Sequence, residues 1–334
     1  MVLNWKRCTY FALRLCGLAA ALTTSCGAQE CFSGSEIDPV TAKKVAAAAQ
    51  QFFNLSAQGD VAGLKANAVP EVAANFRGIE QAVIANKANF AQGQLAETRI
   101  FVLDASNSKT TWQRAEFYCG IYNSPDRVGF MIPNLPPGRY AVTIAKVTGK
   151  DPITLTMILQ DAGKGTWKLG GYYARLNSVG GHDGQWFLTR AREFKEKGQP
   201  LNAWLYYLTA WDLLAPVDFM STPQLDKLND ELQASRPPNL PNVSAPLELS
   251  AGGKSFKVAE LAAVAVGPDF DLRVQYETPD ASSPALASQD NSAMMKALLA
   301  KYPELRDAFP ALIARATDSA GHEYGTLTPM KDIK

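Results

Sequence analysis

The spacing of apolar residues changes between residues 90 and 99, and this change limits the folds that the chain can adopt. From 38 to 90, apolar side chains such as Val45, Ala49 and Phe52 recur every three or four residues, which is typical of amphipathic helices. From 99 to 175 the apolar residues alternate or form short runs between turns rich in glycine and proline, which is typical of strands. Helices followed by antiparallel strands indicate an α+β domain with the helices packed on one face of a curved sheet.

Six strands are predicted in this second stretch. They span 99–104, 112–122, 128–132, 140–147, 153–160 and 167–175. The third and fourth are joined through 133–138 (PNLPPG), where proline and glycine together enforce a turn.

The order of these elements resembles the nuclear transport factor two-like cone fold, also called SnoaL-like. The resemblance covers about 38–177 and depends on four segments: 59–60 (GD), 137–142 (PGRYAV), 153–159 and 166–173 (TWKLGGYY). A competing interpretation takes 135–144 as part of an immunoglobulin-like sandwich, but the preceding helices favour the cone. The resemblance implies an apolar pocket, and some members of the family are enzymes. By analogy, four residues are expected at the pocket mouth: Tyr122, Asp126, Arg127 and Tyr173.

A pair of helices is predicted from 185 to 216, within a central segment at 185–234. Its small and aromatic residues resemble one tetratricopeptide repeat, at Ala191, Phe194, Gly198, Ala203, Tyr207 and Ala210. No second copy follows at the repeat's period, so a helical hairpin packed between two domains is expected. Its aromatic residues fit a buried stripe. The sharper alternative is a surface for a protein partner, with Trp186, Trp204 and Tyr206 as the candidates.

The remainder is predicted to be a second, smaller α+β domain at 247–334. The segment 235–246 contains four prolines and is predicted to be an extended linker. Beyond it we expect strands at 247–250, 255–266 and 271–276, a polar loop at 279–288, a helix at 292–302 and a closing hairpin. The first domain is expected at 38–178. A mature chain of this length exceeds a typical single domain, so two domains are expected.

The first 25 residues are predicted to be a signal peptide. Lys6, Arg7 and Arg14 precede or border a short apolar run, and small residues follow it. The segment 22–26 (LTTSC) resembles a bacterial lipobox, although Thr23 stands where such motifs usually have leucine. Lipidation of Cys26 is therefore expected, with 26–37 as a tether to the membrane and a location in the periplasm or at the outer membrane. The alternative is ordinary cleavage after Ala28, which would give a soluble periplasmic or secreted protein.

The predicted export bears on the state of the cysteines. Of five cysteines, Cys8 and Cys16 lie in the signal segment, and Cys26 is either lipidated or removed. Cys31 and Cys119 remain, and an oxidising compartment favours a disulfide between them. Two unpaired thiols are the alternative, with Cys119 buried as a small apolar residue.

Charge and motifs exclude several classes of function. The chain has 33 basic and 32 acidic residues, so a basic surface for nucleic acid is not expected. Its two histidines, His182 and His322, form no zinc motif, and no calcium loop, P-loop or GxSxG motif is present in the sequence. No metal, cofactor or catalytic residue is therefore assigned.

The leading hypothesis is a non-enzymatic envelope protein that binds a small apolar molecule or a protein partner. A hydrolase or isomerase of the cone superfamily is the first alternative. A structural scaffold in an envelope assembly is the second.

Overall fold

The computed structural model describes residues 30–121, 123–149 and 151–334. Within these ranges the chain is a mixed α+β protein with nine α-helices and several sheets that are mainly antiparallel. The predicted α+β class is therefore confirmed. No helix among the described residues is long and apolar enough to cross a membrane.

The first five helices follow one another along the chain: α1 (Pro39–Gln58), α2 (Val61–Ala66), α3 (Pro70–Ala74), α4 (Arg77–Ala85) and α5 (Lys87–Gln92). Helix α1 begins where the sequence indicates, because the Asp38 carboxylate accepts a hydrogen bond from the Thr41 backbone N–H and Pro39 occupies the first turn. It ends at Gly59, whose φ of 72° is the left-handed conformation that glycine adopts without strain.

Seven strands belong to this part of the chain. The first precedes the helices, and the six that follow them are the six predicted strands. The seven are β1 (Glu30–Ser33), β2 (Leu95–Asp104), β3 (Trp112–Cys119), β4 (Val128–Leu135), β5 (Arg139–Val147), β6 (Ile153–Asp161) and β7 (Trp167–Leu176). The prediction missed β1, and it displaced the ends of β2 to β7 by a few residues.

A central group of short elements follows. It consists of β8 (Ser178–Val179), β9 (His182–Asp183), α6 (Gly184–Glu196), α7 (Pro200–Leu214), β10 (Met220–Ser221) and α8 (Pro223–Ala234). The prediction omitted α8, although Thr222 and Pro223 are a helix start: the Thr222 hydroxyl accepts a hydrogen bond from the Leu225 backbone N–H.

The first strands form two sheets that pack face to face. The larger has the order β1-β2-β5-β6-β7 and is antiparallel throughout, and the smaller has the order β10-β4-β3. Helices α1 to α5 cover one face of the larger sheet, where Phe52, Leu155 and Met157 are buried. The smaller sheet covers the other face, where Phe101 and Phe130 meet edge to face. Because both faces are covered, β6 is buried along most of its length, including the polar residue Thr156.

The last part of the chain forms a second five-stranded sheet. Its elements are β11 (Leu247–Ala251), β12 (Lys254–Val266), β13 (Asp269–Glu277), α9 (Pro284–Lys301), β14 (Ala311–Thr317) and β15 (Glu323–Pro329). The strands lie in chain order, and all pairs are antiparallel except β13 and β14, which run parallel with α9 as the crossover.

The loop predicted at 279–288 is wrong in its second half, because α9 begins at Pro284. Two polar residues of α9, Asp290 and Asn291, are buried, and their side chains make hydrogen bonds within the protein instead of with water. The Tyr276 hydroxyl donates to Asn291 Oδ1 at 2.7 Å, and Asn291 Nδ2 donates to Thr326 Oγ1 at 2.8 Å. Polarity there marks an internal hydrogen-bond network.

One buried apolar cluster joins the central helices to the second sheet. The ring of Phe187 on α6 lies 4.7 Å from that of Phe270 on β13, and Tyr206 on α7 lies 5.3 Å from Phe270. Helices α6 and α7 therefore share a core with the C-terminal strands. The domain boundaries expected from the sequence stay predictions.

Candidate functional site

A cavity of about 330 Å³ lies where the end of β7, helix α7 and strands β12 and β13 meet. Nine residues line it, and we call it the junction cavity. Six are apolar: Leu176, Val179, Leu213, Ala263, Ala265 and Phe270. The other three are Arg175, Thr209 and Asp212. An apolar wall with a few polar groups is the usual composition of a small-molecule site, although this volume is near the lower end of the range.

Local geometry explains why these residues converge. Thr209, Asp212 and Leu213 are spaced at i, i+3 and i+4 on α7, so they lie on one face of the helix. Ala263 and Ala265 alternate along β12 and therefore project from the same face of the sheet. Their methyl side chains fill little space, which leaves the gap between helix and sheet open.

Arg175 is held in place from the connection between α7 and β10. Its Nη1 donates to the Ala215 carbonyl at 3.0 Å, and its Nη2 lies 2.7 Å from Asp218 Oδ1. The Arg175 side chain is mostly buried, whereas Asp218 is exposed. The guanidinium charge is thus already paired with a carboxylate before any ligand is present.

Asp212 differs from Arg175, because its carboxylate makes no hydrogen bond or ion pair with any residue that the structure describes. The side chain is exposed at the rim of the cavity. Desolvation by the surrounding protein raises the pKa of Asp212, an effect that Arg175 opposes and Asp218 reinforces. Thr209 is engaged already, since its hydroxyl donates to the Leu205 carbonyl at 3.0 Å. Asp212 is therefore the polar lining group with open bonding capacity.

The residues predicted at a pocket mouth make separate contacts. Asp126 lines a different cavity of about 460 Å³, beside Cys119 and the N-terminal end of α1. Arg127 lies 3.4 Å from Asp226 of α8. Tyr173 packs edge to face on Phe219, with 5.6 Å between the ring centroids. Tyr122 lies outside the described residues.

The interface between the helices and the larger sheet is a packed core. Tyr172 on β7 donates a hydrogen bond of 2.9 Å to Ser56 Oγ on α1, and Ser56 in turn donates to the Phe52 carbonyl. Burial raises the pKa of Tyr172 far above its ordinary value, so the hydroxyl stays protonated and acts as a donor. This contact fastens the helix to the sheet.

Two of the three residues proposed for a partner surface are core residues, which corrects that prediction. Trp204 is 9% exposed and Tyr206 4% exposed, and the Tyr206 hydroxyl donates to the Ala308 carbonyl at 2.6 Å. They are buried because α7 is enclosed by α6, α8 and the second sheet, so apolar residues surround it. Trp186 is half-buried and stacks on His182 with 3.7 Å between centroids.

The predicted disulfide is confirmed. Cys31 on β1 is bonded to Cys119 on β3, with 5.0 Å between the Cα atoms. The bond links the edge strand of the larger sheet to the edge strand of the smaller one. The proposed lipidation site, Cys26, lies outside the described residues.

Metal coordination has no candidate in the ranges that the structure describes, where no group of three or more His, Cys, Asp or Glu side chains converges. No protein-family model, no curated protein and no solved structure matches this chain. The chemistry of the junction cavity therefore follows from its own lining. An apolar molecule fits the wall, and a polar group of that molecule would meet Asp212 at the rim.

Sequence reasoning did not find this cavity. Asp212 gave the one local signal, because it interrupts the apolar end of α7 two residues before the helix ends at Leu214. A carboxylate in the last turn of a helix is electrostatically unfavourable, so Asp212 is an unusual residue at this position.

Proposed function

We propose that this protein binds a small, largely apolar ligand in the junction cavity. The observation that supports this is the lining itself, in which six apolar side chains surround a space bordered by one unpaired carboxylate and one paired guanidinium. Ligand binding without catalysis is favoured because Asp126, Arg127 and Tyr173, the candidates for an enzymatic pocket, make separate contacts.

We further propose that the protein acts outside the cytoplasm, anchored through a lipid on Cys26. The signal-like segment at 1–25 and the lipobox-like segment at 22–26 support export and lipidation. The Cys31–Cys119 bond supports export independently, since such bonds persist in oxidising compartments. Mass spectrometry of the mature N-terminus tests the anchor: a chain that begins at a free Gln29 contradicts lipidation and leaves export standing.

The N-terminal unit is proposed to be a cone-like domain of the nuclear transport factor two-like type. Its support is the order of elements, in which helices precede the main sheet strands and pack on one face of that sheet. Under this proposal the domain serves as a support for the junction cavity, to which it contributes Arg175 and Leu176 from β7. Helices α6 and α7 are proposed to be a single tetratricopeptide-like hairpin that forms another wall.

A neutral fluorescent probe, N-phenylnaphthylamine, tests ligand binding. We expect its fluorescence to rise with the wild-type protein and to stay low with Ala263→Phe, in which a large ring fills the cavity. Ala262→Phe is the matched control, because residue 262 pairs with Arg273 on the opposite face of the sheet. Leu176→Trp at the rim is a second blocking variant, in case Ala263→Phe unfolds.

Equal probe binding by wild-type protein and by both blocking variants would refute the location. Absence of probe binding by the folded wild-type protein would refute the function. An unfolding midpoint close to the wild-type value shows that each variant is folded.

A further inference from the structure

We infer that the ligand of the junction cavity is a cationic amphiphile, an apolar chain or ring system ending in a protonated amine that pairs with Asp212. This inference rests on the proposed function, because it names the class of molecule that the same cavity takes. Charge, helix position and the apolar wall each support it.

The positive and negative charges of the side chains around the cavity do not sum to zero. Arg175 is paired with Asp218 at 2.7 Å and bonded to the Ala215 carbonyl, so its charge is already compensated. Asp212 has no such partner among the described residues. The remaining lining residues from α7, β12 and β13 are apolar or, in the case of Thr209, neutral. The mouth therefore has an excess of one negative charge, which a cation would neutralise.

The position of Asp212 on α7 adds to this excess. The helix ends at Leu214, so the carboxylate lies in its last turn. Backbone carbonyl groups give that end of a helix a partial negative charge, which favours cations and disfavours carboxylates. No basic residue occupies the last turn. A ligand ammonium group beside Asp212 would supply the missing positive charge to both the side chain and the helix end.

The apolar part of the ligand has a defined place. Ala263, Ala265 and Phe270 form the wall contributed by the sheet, and Leu213 faces them from α7. Since Asp212 is exposed at the rim, the amine would stay near water while the apolar part enters the cavity. A carboxylate-bearing ligand would instead face Asp212 and Asp218 and compete with Asp218 for Arg175. Desolvation by the surrounding protein raises the pKa of Asp212, and a ligand ammonium group beside the carboxylate would lower it.

Three probes of equal chain length separate the possibilities: octylamine, octanol and octanoate, each displacing N-phenylnaphthylamine from the full-length protein at neutral pH. We expect octylamine to bind about five-fold more tightly than octanol, the value for a partly exposed ion pair of about 1 kcal/mol, with octanoate weakest. In Asp212→Asn the preference for the amine should disappear, while octanol binds as before. Asp230→Asn, on the exposed face of α8, is the matched control and should keep the wild-type preference.

The outcomes distinguish this inference from the proposed function. Equal binding of octylamine and octanol to the wild-type protein overturns the inference and leaves apolar binding intact. A preference for octanoate overturns it in favour of recognition by Arg175. An amine preference that persists in Asp212→Asn also overturns it, since the cation would then bind elsewhere. If none of the three displaces the probe and Ala263→Phe binds that probe normally, both the inference and the proposed site fail.

Discussion

Replacing Cys31 and Cys119 with alanine removes the covalent link between β1 and β3, and its cost follows from the length of chain that the bond closes. The two cysteines are separated by 88 positions. For a closed loop of that size, the chain-entropy relation gives about 4.6 kcal/mol of stabilisation at room temperature. Measured losses fall between about 2 and 5 kcal/mol, so a loss of about 4 kcal/mol is expected for the unit that contains β1 to β7.

The loss of stability should also be greatest in β1. Strand β1 has four residues and pairs with β2 along one edge, so without the staple little else holds it. Hydrogen exchange followed by mass spectrometry should show the amides of β1 exchanging much faster in the double variant than in the wild type. Strand β6 lies inside the sheet, and its amides should keep strong protection relative to β1.

Urea unfolding measures how much free energy of unfolding the double variant loses. The single variant Cys31→Ala is the matched control, because it also removes the bond and should lose nearly as much free energy of unfolding as the double variant. Thiol counting with and without reductant provides the control that the wild-type sample is fully oxidised at these two cysteines. If the double variant then unfolds within about 1 kcal/mol of the wild type, the entropic reasoning is refuted for this chain.

Two further predictions concern the C-terminal sheet. Tyr276→Phe leaves the buried side-chain oxygen of Asn291, Oδ1, without its donor and should lower the free energy of unfolding in urea by about 1–3 kcal/mol. Tyr118→Phe, at an exposed position, should change the free energy by less than about 0.5 kcal/mol, and equal effects of the two variants would contradict the reasoning. Hydrogen bonds from backbone N–H groups, chiefly that of Ala281, lower the pKa of Asp318 from 3.8 to about 2. The stabilisation that Asp318 contributes is therefore fully present when the pH is above 3.8, the ordinary pKa, and is lost as the pH falls through about 2. Asp318→Asn should flatten the dependence of the unfolding midpoint on pH in that interval, and an unchanged slope would argue against this role.

The parts of the fold that local chemistry determines were predictable. Asp38, Pro39 and Gly59 fixed both ends of α1, because caps, first-turn prolines and left-handed glycines act within a few residues. Strands β2 to β7 followed from short apolar segments and the turns between them. The disulfide followed from export and from counting cysteines, although its distance could not be known beforehand.

Two of the errors have a common physical origin, since each concerns polar or aromatic residues whose environment depends on tertiary contacts. Helix α9 was predicted to begin only at 292, after the polar residue Asn291, yet Asn291 lies inside the helix and is satisfied by partners on β13 and β15. Trp204 and Tyr206 were considered for a surface, yet the second sheet, far along the chain, covers them. Periodicity reports which residues share a face of an element, but it does not report what covers that face.

The junction cavity was invisible for the same reason, because its lining comes from residues 175 to 270 and each segment is ordinary by itself. Asp212 is the exception, since it violates a local rule by placing negative charge at the carboxyl end of a helix. Local rules are broken most often where function requires it, and such a cost is kept when another interaction offsets it. Among the described residues Asp212 makes no hydrogen bond or ion pair, whereas Arg175 is paired with Asp218. Under the inference drawn above, the ammonium group of the ligand would supply the positive charge that the last turn of α7 lacks.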